Sequence, residues 1–205
     1  HTGYEYLAKK FLGFTHNRFE GVGCQGSGGN ILIKPFLGAE PAKTELIKAT
    51  EQASPGYYEV GFENQIKAKL TVLGNSGKEI YQFPKGAKGF YVDLGYAFNG
   101  AFVAEEHEVQ NNKITGWIVS KTTCGAGKYK IFYCLQLKGT AKWKDLGAHK
   151  LTVDLDAESA IEEVNIAFSP VSTAAAQKAL SNAGFEEMKA ESTRDWNTNL
   201  SKIAV

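Results

Sequence analysis

The chain has 205 residues, with 23 Lys+Arg against 22 Asp+Glu, 43% hydrophobic and 12% aromatic residues. That length fits one large domain, or one domain with an appendage, and that hydrophobic fraction buries a proper core, which excludes intrinsic disorder. A net charge of +1, with basic residues spread along the chain, gives no field to attract nucleic acid or an anionic membrane, and no apolar run approaches the roughly 18 residues of a membrane span.

Most of the chain reads as short strands between turn signals. Residues 30–36 form the first, with Pro35 near its exit. Segments 56–62 and 65–73 alternate with period two, the mark of a half-buried strand. Asn75-Ser-Gly77 predicts a hairpin turn into a strand over 79–83. Further strands are expected over 89–94, 102–109, 113–121, 128–138, 149–155 and 164–168, with Gln110-Asn-Asn112 joining two of them. About ten strands with no helix between them predict a mainly β fold, an antiparallel sandwich or barrel. The pattern changes after Pro170. Ser172 or Thr173 caps a short Ala-rich helix ending near Asn182-Ala-Gly184. Phe185, Met188, Ser192, Trp196, Leu200 and Ile203 then recur at helical steps as one apolar stripe. The expected division is a β-sandwich domain over 1–170 and a helical segment over 171–205.

The chemistry-bearing residues are few. Gly21-Val-Gly-Cys-Gln-Gly26 fits a dinucleotide fingerprint in letters alone, because a strand follows it where a helix must hold the pyrophosphate. The Gly-rich run 21–29 reads as a rim or ligand-contact loop, or as a plain connection. If the segment before it is extended, His16 and Arg18 share one face beside Phe14 and Phe19, planar polar groups and aromatics of the kind that bind sugar hydroxyls. In Glu105-Glu-His-Glu108, alternation sends Glu105 and His107 one way and Glu106 and Glu108 the other, which predicts a solvated strand face rather than a metal site. Asp154 and Asp156 are a carboxylate pair by spacing only. Of the three cysteines, Cys124 and Cys134 flank an extended run of ~30 Å, beyond the ~4.4–6.8 Å of a disulfide. A Cys24–Cys124 bridge and a set of free thiols both stay open. No apolar leader stretch opens the chain, as in a mature or truncated chain or a cytoplasmic protein.

The run Gly13-Phe-Thr-His-Asn-Arg-Phe-Glu-Gly-Val-Gly-Cys24, followed by Gly28-Gly-Asn-Ile-Leu-Ile-Lys-Pro35, resembles the glycoside hydrolase family 92 α-mannosidases. Their N-terminal domain carries G-F-[ST]-H-x-H-L-S-G-x-G-C and then G-D-[IL]-x-x-x-P. Ala53-Ser-Pro-Gly-Tyr-Tyr58, the strand pair running to Phe83-Pro84, Gly116-Trp117 with Cys124, and Asp195-Trp-Asn197 with Leu200 are similar to later family motifs in the same order. The resemblance implies a β-sandwich of the galactose-mutarotase-like supersandwich kind, linker helices, and a large (α/α)6 barrel beyond this chain. It implies exo-acting, inverting α-mannosidases, exported to the periplasm or secreted, acting on α-mannosides or N-glycan mannose. Catalytic acid, base and calcium ligands would lie in that barrel, which makes the chain's own C-terminal catalytic domain its partner and leaves no catalytic or metal residue here. The substrate-binding residues carried over are His16 and Cys24, with Arg18 standing where the motif has its second His. Phe19-Glu20 replace Leu-Ser, and Asn30 replaces the Asp.

The rival reading is a free-standing carbohydrate-binding or interaction module, with Trp117 and Trp143 stacking on sugar faces. A lipocalin-like barrel leaves the terminal helices and the Gly-rich loop unexplained. The helical stripe discriminates: full docking on the sandwich suits a module, and exposure suits a missing neighbour.

Overall fold

The computed structural model describes residues 6–8, 10–19 and 27–202. The chain runs through β1 (Lys10–Phe11), β2 (Phe14–Phe19), β3 (Ser27–Leu37), β4 (Thr44–Ser54), β5 (Tyr57–Phe62), β6 (Lys67–Leu73) and β7 (Ser76–Gln82). It continues through β8 (Lys88–Asp93), β9 (Phe102–Gln110), β10 (Lys113–Lys121), β11 (Lys128–Leu137), β12 (Lys142–Gly147), β13 (Lys150–Asp154) and β14 (Ile161–Ser169). Two helices close it, α1 (Thr173–Ala179) and α2 (Phe185–Leu200).

Among the described residues the strands make two antiparallel sheets. The larger has nine strands in the order β1-β4-β5-β6-β7-β14-β11-β10-β9, and the smaller has five in the order β12-β13-β8-β3-β2. Alternation builds the layer between them. In β10, Ile114, Gly116, Ile118 and Ser120 are buried while their neighbours are less so. Phe62, Tyr81, Ile118, Tyr133 and Ile166 of the larger sheet meet Ile31, Ile33, Phe90, Val92 and Val153 of the smaller. This is the expected antiparallel β-sandwich.

The helices cover the other face of the larger sheet, α1 over β14, β11 and β10, and α2 over β6 and β7. Cys134 and Ala167 point opposite to the core residues Tyr133 and Ile166 and are nevertheless fully buried. Ser172 is the helix cap, its Oγ accepting from the Ala175 amide at 3.1 Å. α1 stops at Ala179, short of the expected 182–184, because Leu180 turns to an extended ψ of 125°. Phe185, Met188 and Ser192 dock, whereas Trp196 and Leu200 stay 49% and 55% exposed. Ile203 lies outside the described residues.

Four strands escaped the sequence reading: the two-residue β1, most of β2, β4 and β12. β12 and β2 are the edges of the smaller sheet and β1 an edge of the larger, and β4 is half-exposed or exposed throughout, so none carries a clean apolar alternation. The hairpin turn falls one residue earlier than expected. Leu73 pairs with Ser76, leaving Gly74 at φ 57° as the first turn residue, a conformation glycine enters without steric cost. Cys124 is disulfide-bonded, so the reading in which it carries a free thiol fails, while Cys134 is free and buried.

The registers place the Gly74–Asn75 turn, the end of β14, the starts of β9 and β11, and the end of β2 with the start of β3 at one end of the sandwich.

Candidate functional site

The site begins with an irregular backbone. β2 pairs with β3 through a bulge between Thr15 and His16, with Asn17 at φ 52° and Ile31 at φ 53°. A β-branched residue in the left-handed region is strained, by about 1–3 kcal/mol. The distortion turns the Ile31 carbonyl toward His16, whose Nδ1 lies 2.8 Å from it. The other ring nitrogen, Nε2, lies 2.8 Å from Glu79 Oε1 on β7 of the opposite sheet. The Tyr81 hydroxyl donates to Glu79 Oε2 at 2.6 Å.

Both imidazole nitrogens face acceptors, so each carries a proton and His16 is an imidazolium. Burial alone would lower its pKa. The Glu79 charge, the hydrogen bond to it and the bond to Ile31 together outweigh that and raise it above 6.5. The two side chains are only 13% and 3% exposed, the setting in which a charge persists because it is paired and hydrogen-bonded.

This pair lies at the wall of a cavity of about 360 Å³, lined also by Phe14, Asn17, Leu70, Ile166, Phe168, the Gly74–Asn75 turn and the start of β7. The volume is that of a small-ligand pocket, about 300–1,000 Å³. Beside it, Asn30 is fully buried. Its Oδ1 accepts from Asn17 Nδ2 at 3.1 Å and from the Tyr129 hydroxyl at 2.6 Å, and its Nδ2 donates to Ser120 Oγ at 2.9 Å. That hub ties β2 and β3 to β10 and β11. Arg18 takes another course, its guanidinium 4.3 Å from the ring centroid of Phe98. Phe98 in turn packs on Gly29, at φ 62°, where any Cβ would strike the ring.

Residues 1–181 match the sequence profile of the glycosyl hydrolase family 92 N-terminal domain. The chain belongs to glycosyl hydrolase family 92. Solved relatives share its fold over nearly the whole chain. The GH92 family glycosyl hydrolase ccman5 is similar at a TM-score of 0.89 and 23% identity, over 100% of this chain and 32% of its own. A family GH92 α-mannosidase of Bacteroides thetaiotaomicron, also solved with mannoimidazole bound, has a TM-score of 0.81 at 20% identity, over 98% of this chain and 32% of its own. A GH92 inverting mannosidase of the same organism reaches 0.67 at 14% identity, over 83% and 26%. This family 92 domain therefore spans about a third of the length of these relatives. No protein of curated function matches it in sequence.

Of the residues expected at the sugar, His16 lines the cavity, Arg18 stacks on Phe98, and Cys24 lies outside the described residues. The shared face expected of His16 and Arg18 gives way to separate partners, because Asn17 breaks the extended alternation between them. Glu79 was missed, although its phase with Tyr81 and Phe83 on one strand marked a carboxylate at an inward position. The solvated face expected at Glu105 is also corrected. Its side chain is 3% exposed, between His107 Nδ1 at 3.0 Å and His149 Nδ1 at 2.7 Å, because the turn from β12 to β13 brings His149 over from the other sheet. Asp154 and Asp156 do not pair, and Asp156 Oδ1 accepts the Glu158 amide instead.

Proposed function

We propose that this family 92 domain belongs to an α-mannosidase, for example an α-1,2-mannosidase, and that it shapes the sugar cleft and helps bind mannose while a separate helical domain performs the hydrolysis. The observation that carries this reading is the cavity at the β2–β3 end of the sandwich, walled by the buried His16–Glu79 ion pair, by polar side chains such as Asn17 and by the apolar Phe14, Leu70, Ile166 and Phe168. A sugar ring is served by such a wall, apolar where carbon–hydrogen faces lie and polar where hydroxyls lie. His16 acts there through the ring that lines the cavity, with its nitrogens held by Glu79 and Ile31. Arg18 supplies a planar cation on the same strand. The sugar contact of Cys24 and the helical linker role of residues 171–205 belong to the same proposal, as do export from the cell and calcium held by the helical domain.

The exposed Trp196 and Leu200, at the end of a helix whose earlier turns are docked, support a neighbouring domain over a free-standing module. Two measurements test the reading. The purified chain releases no mannose from α-mannosides with or without calcium; turnover by the chain that a point change within it abolishes would overturn the division of labour. In the enzyme carrying this domain, His16→Ala lowers kcat/KM well beyond its effect on folding, and an unchanged kcat/KM removes His16 from the cleft.

A further inference from the structure

Two side-chain contacts join β9, an edge of the larger sheet, to the hairpin of β12 and β13 at an edge of the smaller. The Trp143 indole donates to the Asn111 carbonyl at 2.8 Å, a bond between groups that do not titrate. The second contact is ionisable. Glu105 on β9 keeps its side chain 3% exposed between two imidazoles, with His107 Nδ1 at 3.0 Å and His149 Nδ1 at 2.7 Å. His107 shares a strand with Glu105, so of the two only His149, in the turn between β12 and β13, reaches it from the other sheet.

That turn is held against its own preference. Gly147 pairs with Lys150, which leaves Ala148 at φ 51° and His149 at φ 66°, a region costly to a residue with a Cβ. The His149 ring packs on Phe102, 5.0 Å between centroids. Its carbonyl accepts the Leu94 amide at 2.9 Å, and Gly95 lies against its side chain. Residues 94–98 lead from there to Phe98, the ring on which Arg18 stacks. The other charges around the turn are Asp145, which accepts the Gly147 amide at 2.7 Å, Lys150 on β13 and Asp93 on β8. Tyr133 of β11 stands behind Glu105. Burial raises the Asp93 pKa, so its charge fades toward acid, the opposite sense to a histidine.

We propose that His149 is a pH-governed latch: its imidazolium fastens the β12–β13 turn to Glu105, and loss of one proton loosens the turn together with Leu94 and Gly95. A hydrogen bond between ionised partners is about twice as strong as a neutral one, and histidine is the side chain that changes charge between about pH 5 and 8. The neutral ring still donates through Nδ1, so the link weakens rather than vanishes, and the strained turn opens more often. With the carboxylate ionised, the latch is closed on the acid side of that range and loosens as pH rises. The device does not depend on what the cavity beside His16 binds.

Amide hydrogen exchange of the purified chain at about pH 5 and about pH 8, expressed as protection factors so that intrinsic exchange rates cancel, tests the latch. The Leu94 amide is expected to lose about fivefold or more of its protection at the higher pH. The Phe62 amide, bonded to the Ile66 carbonyl at 2.9 Å on the far side of the larger sheet, reports any chain-wide loss, including the one that His16 brings, and the Leu94 loss is read relative to it. His149→Gln, which keeps an amide donor and cannot take up the charge, should abolish that relative loss, whereas His107→Gln should keep it. Equal relative protection at both pH values in the native chain overturns the proposal, as does a loss that survives in His149→Gln. Should that variant fail to fold, the native chain decides alone: the midpoint of the Leu94 loss must coincide with the titration of the His149 ring resonance, and a separate midpoint overturns the latch.

Discussion

His16 and Glu79 stand 63 positions apart in sequence and 2.8 Å apart in space, one on the edge strand of the smaller sheet and the other on a central strand of the larger. Their ion pair therefore pins an edge to the middle of the sandwich. Removing one partner of a buried pair leaves the other charged and desolvated. Glu79→Ala is expected to cost about 3–5 kcal/mol, with Tyr81 losing its acceptor as well. Tyr81→Phe removes one hydrogen bond and keeps the pair, so its cost stays near 1 kcal/mol. Chemical denaturation of both variants checks the order. Equal losses would mean that the pair contributes no more than the hydroxyl.

The same pair sets a pH dependence. His16 has a folded-state pKa raised above 6.5, so the folded chain holds its proton more tightly than the unfolded chain. Its contribution is fully present below 6.5 and is lost as pH rises through the raised value. The urea midpoint of the native chain should fall on the alkaline side of 6.5, and His16→Gln should flatten that fall. An identical pH profile in the variant would assign the dependence to other groups.

A second irregularity invites a stabilising change. Gly147 pairs with Lys150, so Ala148 and His149 form a two-residue turn with φ of 51° and 66°. Both values lie in the region that Asn and Gly tolerate and Ala does not. His149 is held there by Glu105 at 2.7 Å, whereas Ala148 has no such reason. Ala148→Asn should stabilise the chain by about 0.5–1 kcal/mol, read as a higher Tm with unchanged circular dichroism.

Cys134 offers a chemical readout of the helical cover. It lies fully buried on the face where α1 packs, and burial pushes its thiol up to about 11. With little thiolate formed at pH 8, a thiol reagent should label Cys134 slowly in the folded chain and promptly in urea. Fast labelling of the native chain would mean that α1 detaches readily.

The parts of this fold that the sequence displays are those whose two faces differ. β10 alternates buried and half-buried residues and β6 alternates over Lys67 to Lys69, and both were expected as strands, β6 from its period of two. β4 and β12 were not, because β4 has no buried residue along its length and β12 shows none at all that is fully covered. The cavity was legible in half. His16 stood in a motif, but its partner arrives from β7, and nothing in spacing brings residues 16 and 79 together. The Glu105 contact with His149 failed for the same reason, since a strand's own alternation is blind to a turn folding over it from another sheet.

Asn30 joins these two kinds of information. The family motif has Asp at this position, and here the amide uses both its ends, accepting from Asn17 and Tyr129 and donating to Ser120. Asn30→Ala would remove one hydrogen-bond partner each from Asn17, Ser120 and Tyr129, at a cost of about 2 kcal/mol or more. Asn30→Asp keeps the two acceptor bonds, and the Ser120 hydroxyl rotates to donate, so the carboxylate gains three donors in place of a mixed set. The Asp variant should therefore be the milder of the two, with its thermal unfolding closer to that of the native chain. An Asp variant as damaged as the Ala variant would show that this site requires the amide donor, and that Asn here and Asp in the family motif do different work.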